Sequence, residues 1–258
     1  MKVARTIQEL RDTLPAGAEI GLVPTMGAFH EGHLSLFRTA RADSELVVAS
    51  LFVNPAQFDQ GIDLARYPRD EERDRDVADR AGVDVLFAPT AEEMYAPGFA
   101  TWIEPDVTGA EGDARPGHFR GVATICLTLF NIVRPARVYF GQKDAQQAVV
   151  IQRMVRDLHV PVEVRVLPTV RDPDGLALSS RNVYLSPAER ERALGLPRAL
   201  AAAAESPDPV SAARAQLNGL QPDYVELLEL DGATVLAAAV RVGATRLIDN
   251  VLVKGELP

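Results

Sequence analysis

Val23-Pro-Thr-Met-Gly-Ala-Phe-His-Glu-Gly-His33 decides how this chain folds. It lies between an apolar run, Ile20–Val23, that reads as a buried strand, and a segment, Leu34–Arg41, that reads as a helix. Histidines at i and i+3 of a helical turn share a face, so His30 and His33 are able to address one ligand. Gly27 and Gly32 let the backbone approach that ligand closely. A helix start after such a turn offers unpaired N–H groups and partial positive charge, which suits a phosphate. Strand, glycine turn, His-x-x-His and helix together point to a nucleotide phosphate site. Two alternatives stand beside it. One is a purely structural histidine pair. The other is zinc, which needs three or four protein ligands; the chain has one Cys and only His118 and His159 besides, so acidic residues would have to complete the set.

Outward from this stretch, strands and helices alternate. Leu46–Val53 reads as a strand, Asp70–Ala81 as a charged helix stopped by Gly82, and Val83–Phe87 as a strand. Gly121–Val133 follows as a helix, Ala136–Phe140 as a strand, Ala145–Leu158 as a helix and Val162–Leu167 as a strand. Apolar strands joined by helices predict an α/β fold, a Rossmann-like parallel sheet covered on both faces. Ligands of such sheets sit at the C-terminal strand ends. His30 and His33, Asn54 and Gln57, and Lys143 and Asp144 all fall at such ends.

After Pro168 the texture changes. Ser186, Pro187 and Glu189 form a helix start, and an alanine-rich helix is expected to run to about Glu205, where Pro207 and Pro209 break it. A helix at Val210–Leu217 and strands at Asp223–Leu230, Val235–Val242 and Arg246–Val253 complete a smaller α+β unit. The expected division is a catalytic domain over residues 1–170 and a small domain over 171–258.

Composition bounds the function. A hydrophobic share of 47% and a charged share of 24% are those of a soluble globular protein. A net charge of −9 argues against broad nucleic-acid binding, and the cluster Asp70-Glu-Glu-Arg-Asp-Arg-Asp76 reads as a solvated helix face. The longest apolar run, Val122–Val133, is interrupted by Thr124, Thr128 and Asn131, so no membrane span is expected. The N-terminus turns polar too soon for a signal peptide, and Cys126 is alone, which together read as cytoplasmic. Of 27 basic residues only Lys2, Lys143 and Lys254 are lysine. In a chain that otherwise uses arginine, Lys143 stands out, because a compact ammonium fits where a planar guanidinium does not.

Six stretches, in order, resemble the pantothenate synthetase (pantoate–β-alanine ligase) family of the HIGH-motif adenylating superfamily. They are Pro24-Thr-Met-Gly27 with His30-Glu-Gly-His33, Phe52-Val-Asn-Pro-Ala-Gln-Phe58, Tyr67-Pro-Arg69, Arg115-Pro-Gly-His-Phe-Arg-Gly-Val122, Tyr139-Phe-Gly-Gln-Lys-Asp144 and Leu178-Ser-Ser-Arg-Asn182. The resemblance implies condensation of pantoate with β-alanine, using ATP and Mg²⁺, through an enzyme-bound pantoyl adenylate. It implies ATP contacts along Met26, Gly27, Ala28, Phe29, His30, Glu31, Gly32 and His33, with His33 as proton donor. Further ATP contacts are implied at Gly141, Gln142, Lys143 and Asp144, at Val170, and at Leu178, Ser179, Ser180 and Arg181. Gln57 and Gln147 are implied to hold pantoate, and Gln57 also β-alanine. His30, His33, Lys143 and Arg181 form the implied catalytic set. Asp74 falls where the family has an acidic residue near the metal, although it also belongs to the charged helix face; the metal ligands are unassigned. His118 is expected to orient Asn54 and Gln57, and His159 to be structural. The family also implies a homodimer whose small domain acts as a lid. Ala145 departs from a common tyrosine, and the second domain is shorter than usual. A phosphopantetheine or nicotinate-mononucleotide adenylyltransferase and a non-catalytic nucleotide-binding regulator are the competing readings. The glutamine pair and the added domain speak against the first, and the intact catalytic set against the second.

Overall fold

The computed structural model describes residues 1–58 and 61–257. Six strands form one parallel sheet: β1 (Lys2–Ala4), β2 (Ile20–Val23), β3 (Leu46–Ser50), β4 (Val85–Phe87), β5 (Arg137–Gly141) and β6 (Glu163–Leu167). Their spatial order is β1-β4-β3-β2-β5-β6. Counted from β2, this is the doubly wound order, with the chain reversing direction across the sheet between β2 and β5.

Alternation within each strand explains why both faces are covered. Leu22, Val48, Val85, Phe87, Val138 and Phe140 enter one core cluster. Their strand neighbours Val23, Val47, Ala49, Leu86 and Tyr139 enter the other. The helix His118–Val133 packs in the first cluster through Val122, Cys126, Leu129 and Phe130, and is buried along most of its length. The helix Glu31–Asp43 packs in the second through Leu36, Phe37 and Ala40.

Beyond the parallel sheet, β7 (Gln221–Leu230), β8 (Ala233–Val242) and β9 (Thr245–Lys254) make an antiparallel meander. One of its faces packs on the helices Gly195–Ala203 and Pro209–Gln216. The other packs Ala233, Val235, Ala237 and Ala239 against Ala145 and Val149 of the helix Ala145–Asp157.

Several expectations are corrected by the structure. The alanine-rich helix is two helices, Pro187–Ala193 and Gly195–Ala203. Pro197 has no N–H to give the Ala193 carbonyl, and its ring crowds that carbonyl, so the helix breaks there. The third strand stops at Ser50 rather than Val53, and helix His118–Val133 starts before Gly121. Elements without a sequence expectation include β1, the short helices Gly61–Arg66, Ala91–Met94 and Ala110–Ala114, and the helix Ile7–Thr13, whose start is a reciprocal Thr6–Glu9 capping box. Asp74 is not on a solvated face. It is 1% exposed, pointing inward from its helix.

Candidate active site

A cleft of about 250 Å³ opens at the C-terminal ends of β2 and β5, where the sheet reverses. One wall is the turn after β2 and the start of the helix Glu31–Asp43, carrying Met26, His30, Gly32 and His33. The second is Asn54 and Gln57, on and beside the 3-10 turn Pro55–Gln57 after β3. The third is Gly141 at the end of β5 and Lys143 and Asp144 just after it, with Gln147 on the following helix. Val170 and the stretch Leu178–Arg181 close the fourth side.

His30 is the N-cap of its helix rather than a member of it, so the two imidazoles meet across the helix start, ring centroids 4.2 Å apart. The His30 backbone N–H donates to His33 Nδ1 at 3.3 Å. That bond assigns the proton of a neutral His33 to Nε2, which makes Nε2–H a donor. Burial, then His30 and Lys143, hold the His33 pKa well below its usual 6.5, so the ring is neutral at working pH. His30 is pushed down to about 4, by burial first and by the Lys143 charge second. Its Nδ1 is buried with no hydrogen-bond partner. A Cβ on Gly32 would lie 2.9 Å from that ring, so only glycine leaves the imidazole its place.

Asp74 explains the shape of the loop before His30. Its two carboxylate oxygens accept the N–H groups of Ala28 at 2.7 Å and Phe29 at 2.8 Å. Burial lifts its carboxyl above the usual carboxylate range, against the pull of those two amides. Gly27 sits over this clamp at φ 87°, where a Cβ would strike Leu51 and the Asp74 carboxylate. Gly27, Ala28, Phe29, Glu31 and Gln142 thus stand outside the cleft wall. Phe29 is a core ring packed edge-on to Phe37, Glu31 pairs with Arg38 at the surface, and the Gln142 carbonyl is bonded by Asn250.

Gln57 is held by a chain of assigned hydrogen bonds. Tyr95 Oη donates to Asn54 Oδ1 at 2.7 Å, and the Ala56 N–H donates to the same oxygen at 3.2 Å. Asn54 Nδ2 is therefore the donor to Gln57 Oε1 at 3.0 Å and to the Gly121 carbonyl at 3.1 Å. The Gln57 oxygen is taken, which leaves its amide N–H groups for a ligand. Gly121 permits this contact: a Cβ there would lie 2.3 Å from the Ala56 oxygen. His118 holds the Gln57 main chain rather than its side chain, donating from Nδ1 to the Gln57 carbonyl at 2.9 Å. Arg115 donates to the same carbonyl at 3.0 Å and to His118 Nε2 at 3.3 Å. His159, by contrast, is exposed after the helix Ala145–Asp157 in a left-handed conformation.

His118 carries a testable acid sensitivity. Burial, then Arg115, lowers its pKa to about 4 from an unfolded value near 6.5. Between those values the unfolded chain binds the extra proton, so stability is full above pH 6.5 and is lost as pH falls toward 4. The loss from this one ring amounts to roughly 2 kcal/mol by about pH 5. His118→Asn retains a donor near Nδ1 but cannot take up the proton. Urea unfolding at neutral and acidic pH is expected to show a shallower loss in the variant; equal slopes would remove His118 from this role.

A parallel sheet with His-x-x-His beside a cleft at its reversal point is the arrangement of a Rossmann-like α/β protein. The family model for pantoate–β-alanine ligase matches residues 2–252. The chain is 50% identical to the pantothenate synthetase of Roseiflexus castenholzii, covering 98% of this chain and 100% of that one. It is also 50% identical to that of Moorella thermoacetica, covering 98% and 99%. The pantothenate synthetase structure from Thermus thermophilus superposes with a TM-score of 0.93 at 47% identity, over 99% of this chain and 100% of that one. A Francisella tularensis pantoate–β-alanine ligase, complexed with a β-γ ATP compound and β-alanine, superposes with a TM-score of 0.88 at 34% identity over the whole of both chains. The chain belongs to the pantoate–β-alanine ligase family.

The motifs, which include Arg115 and His118, led to most of the cleft but not to what its supports bind. Tyr95 and Arg115 hold the Gln57 turn and Asp74 the histidine loop, and no local pattern marks what they bind. Asn250 bonds the Lys143 turn from the middle of a strand, where only the folded contact reveals it.

Proposed function

We propose that this chain joins pantoate to β-alanine at the expense of ATP, in two steps within the one cleft. A pantoate carboxylate oxygen attacks the α-phosphorus of ATP, forming the pantoyl adenylate as the bond to pyrophosphate breaks. The β-alanine amine then attacks the acyl carbon, the amide C–N bond forms, a proton leaves the nitrogen and AMP departs. The observation that carries this reading is the shared cleft, whose walls bring Gln57 and Gln147 together with His30, His33, Lys143 and Ser179–Arg181. Charge grows on the α-phosphate and on departing pyrophosphate, and fixed donors in a partly dry cleft oppose it without reorganising. His33 Nε2–H, the Lys143 ammonium, the Ser179 and Ser180 hydroxyls and the Arg181 guanidinium supply those donors in this reading. Gln57 and Gln147 match a small hydroxy acid, and Asp144 suits a ribose hydroxyl.

Mg²⁺ belongs to the same proposal. Among the described residues no group of three or more His, Cys, Asp and Glu is placed to hold a metal. Asp144 is the carboxylate on the cleft wall, since both Asp74 oxygens are spent on amides. That donor set fits a metal that arrives on the nucleotide phosphates, keeps most of its waters, and takes at most Asp144 from the chain. Bound there, it would neutralise phosphate charge. The proposal also takes residues 1–170 as the catalytic domain and 171–258 as a lid, in a cytoplasmic homodimer. Core clusters on either side of the boundary support the division, and a further cluster docks the antiparallel sheet on the helix Ala145–Asp157. No helix among the described residues is long and apolar enough to cross a membrane.

The decisive experiment follows exchange of labelled pyrophosphate into ATP with pantoate present and β-alanine absent. Exchange is expected, because the adenylate forms reversibly before the amine arrives. Absence of exchange, or exchange that needs β-alanine, would refute the two-step reading. Gln57→Ala and Gln147→Ala are expected to raise the pantoate KM on the order of 10-fold or more, the loss of one to two hydrogen bonds, while calorimetry shows ATP binding little changed. An altered ATP affinity with normal pantoate dependence would overturn the pocket assignment.

A further inference from the structure

Resting on that reading, we infer that Asn250 is a positioning residue for Lys143, and that β9 sets the spacing of the two walls facing the phosphates. Asn250 lies in β9 of the antiparallel sheet and is buried. Its Nδ2 donates to the Gln142 carbonyl at 3.0 Å and to the Lys143 carbonyl at 2.9 Å. Both partners are pure acceptors, so the orientation of the carboxamide is not ambiguous. The amide oxygen is buried without a partner. An unpartnered buried acceptor is costly. The side chain's two bonds to the turn are what it gains in return.

The turn it grips needs an outside support. Gln142–Asp144 is a single 3-10 turn between β5 and the next helix, with no side-chain cap of its own. The carbonyl of Lys143 is fixed from across the molecule, and with it the root of the side chain that enters the cleft. The preceding residue of β9 does the equivalent for the opposite wall. Asp249 takes a two-pronged bond from Arg171, Nη1 to Oδ2 at 2.6 Å and Nη2 to Oδ1 at 3.0 Å. Arg171 pairs with Ala177 across a short hairpin whose arms end in Val170 and Leu178, both on the cleft wall. Adjacent β9 residues thereby hold the Lys143 turn and the stem of the Ser179–Arg181 segment at one distance. The Asp249 carboxylate also accepts the Asn250 N–H at 2.8 Å, which ties the two clasps together.

A misplacement of about 1 Å in a positioned group can cost on the order of 100-fold. Asn250→Ala is therefore expected to lower pantoate-dependent pyrophosphate exchange between about 10- and 100-fold, with the pantoate KM nearly unchanged. Val251→Ala weakens the same strand from the face packed on the small domain's core and touches neither clasp. It is expected to lower the unfolding midpoint and leave exchange near the wild-type rate. Asn250→Asp separates positioning from stability. Its carboxylate faces two carbonyl oxygens, and protonation restores one donor; burial raises the carboxyl pKa, so its exchange relative to wild type should recover as pH is lowered from about 8 to about 6. Equal exchange losses in Asn250→Ala and Val251→Ala, or near-normal exchange in Asn250→Ala, overturn the inference. So does an Asn250→Asp profile parallel to wild type. Failure of the wild-type enzyme to exchange would instead strike the ligase reading itself.

Discussion

A Lys143→Arg enzyme is expected to fold normally and to lose pantoate-dependent pyrophosphate exchange by on the order of 100-fold, although the charge is kept. Lys143 stands on the turn after β5, its side chain only 19% exposed and its Nζ 3.9 Å from the Asp144 carboxylate. That setting suits a point charge with rotatable donors. A guanidinium is planar, larger and fixed in its fork, and its charge centre would sit elsewhere against the triphosphate. Lys143→Ala should be at least as impaired. The alanine variant offers a second readout in the free enzyme. Lys143 is among the causes holding His30 down near 4, after burial, so the His30 titration followed by NMR should move upward, though not as far as 6.5. Normal exchange in Lys143→Ala would remove the residue from the catalytic set; an unmoved His30 titration would show that its charge does not reach that ring.

His33→Ala is expected to cost about 100- to 1,000-fold in the same exchange, the range for losing one preorganised donor to developing charge. The ring's proton is placed by a main-chain hydrogen bond: the His30 N–H on Nδ1 leaves the proton on Nε2. Because burial keeps the ring neutral, the proton is present on Nε2 throughout neutral pH. Wild-type exchange should therefore show no break near pH 6.5 attributable to this residue. Such a break, abolished by His33→Ala, would mean that the charged ring is the active form. A near-wild-type rate in the variant would dismiss the assigned role altogether. His30→Ala should also be severely impaired, since its Nδ1 is the buried polar atom in this wall with no partner in the protein.

The strands were legible because their chemistry is local. Ile20–Val23, Leu46–Ser50 and Arg137–Gly141 are short apolar runs, each with neighbours bound for opposite cores, and each is followed by the polar residues that line the cleft. Local rules also set helix ends. Pro197 inside the alanine-rich stretch was enough to divide that helix, and the Thr6–Glu9 pair was enough to start one near the N-terminus. Asp74 is set by distant partners instead. Six residues of charged sequence around it describe a wet surface, and the two amides that make it a buried clamp lie 45 and 46 residues away.

By itself, then, the sequence determined the layered α/β class, the strand ends that line the cleft, the family and the residue types on its walls. These follow from hydrophobic period, turn chemistry and ordered motifs, all properties of neighbours along the chain. Only the tertiary structure decided which tautomer His33 holds, that Asp74 shapes the histidine loop, that Gln57 turns its amide donors free, and that Asn250 grips the Lys143 turn. Each depends on a hydrogen-bond partner supplied by a distant segment. A side chain's donors and acceptors are given by its type, but which of them remain for a ligand is settled only after folding has used the rest.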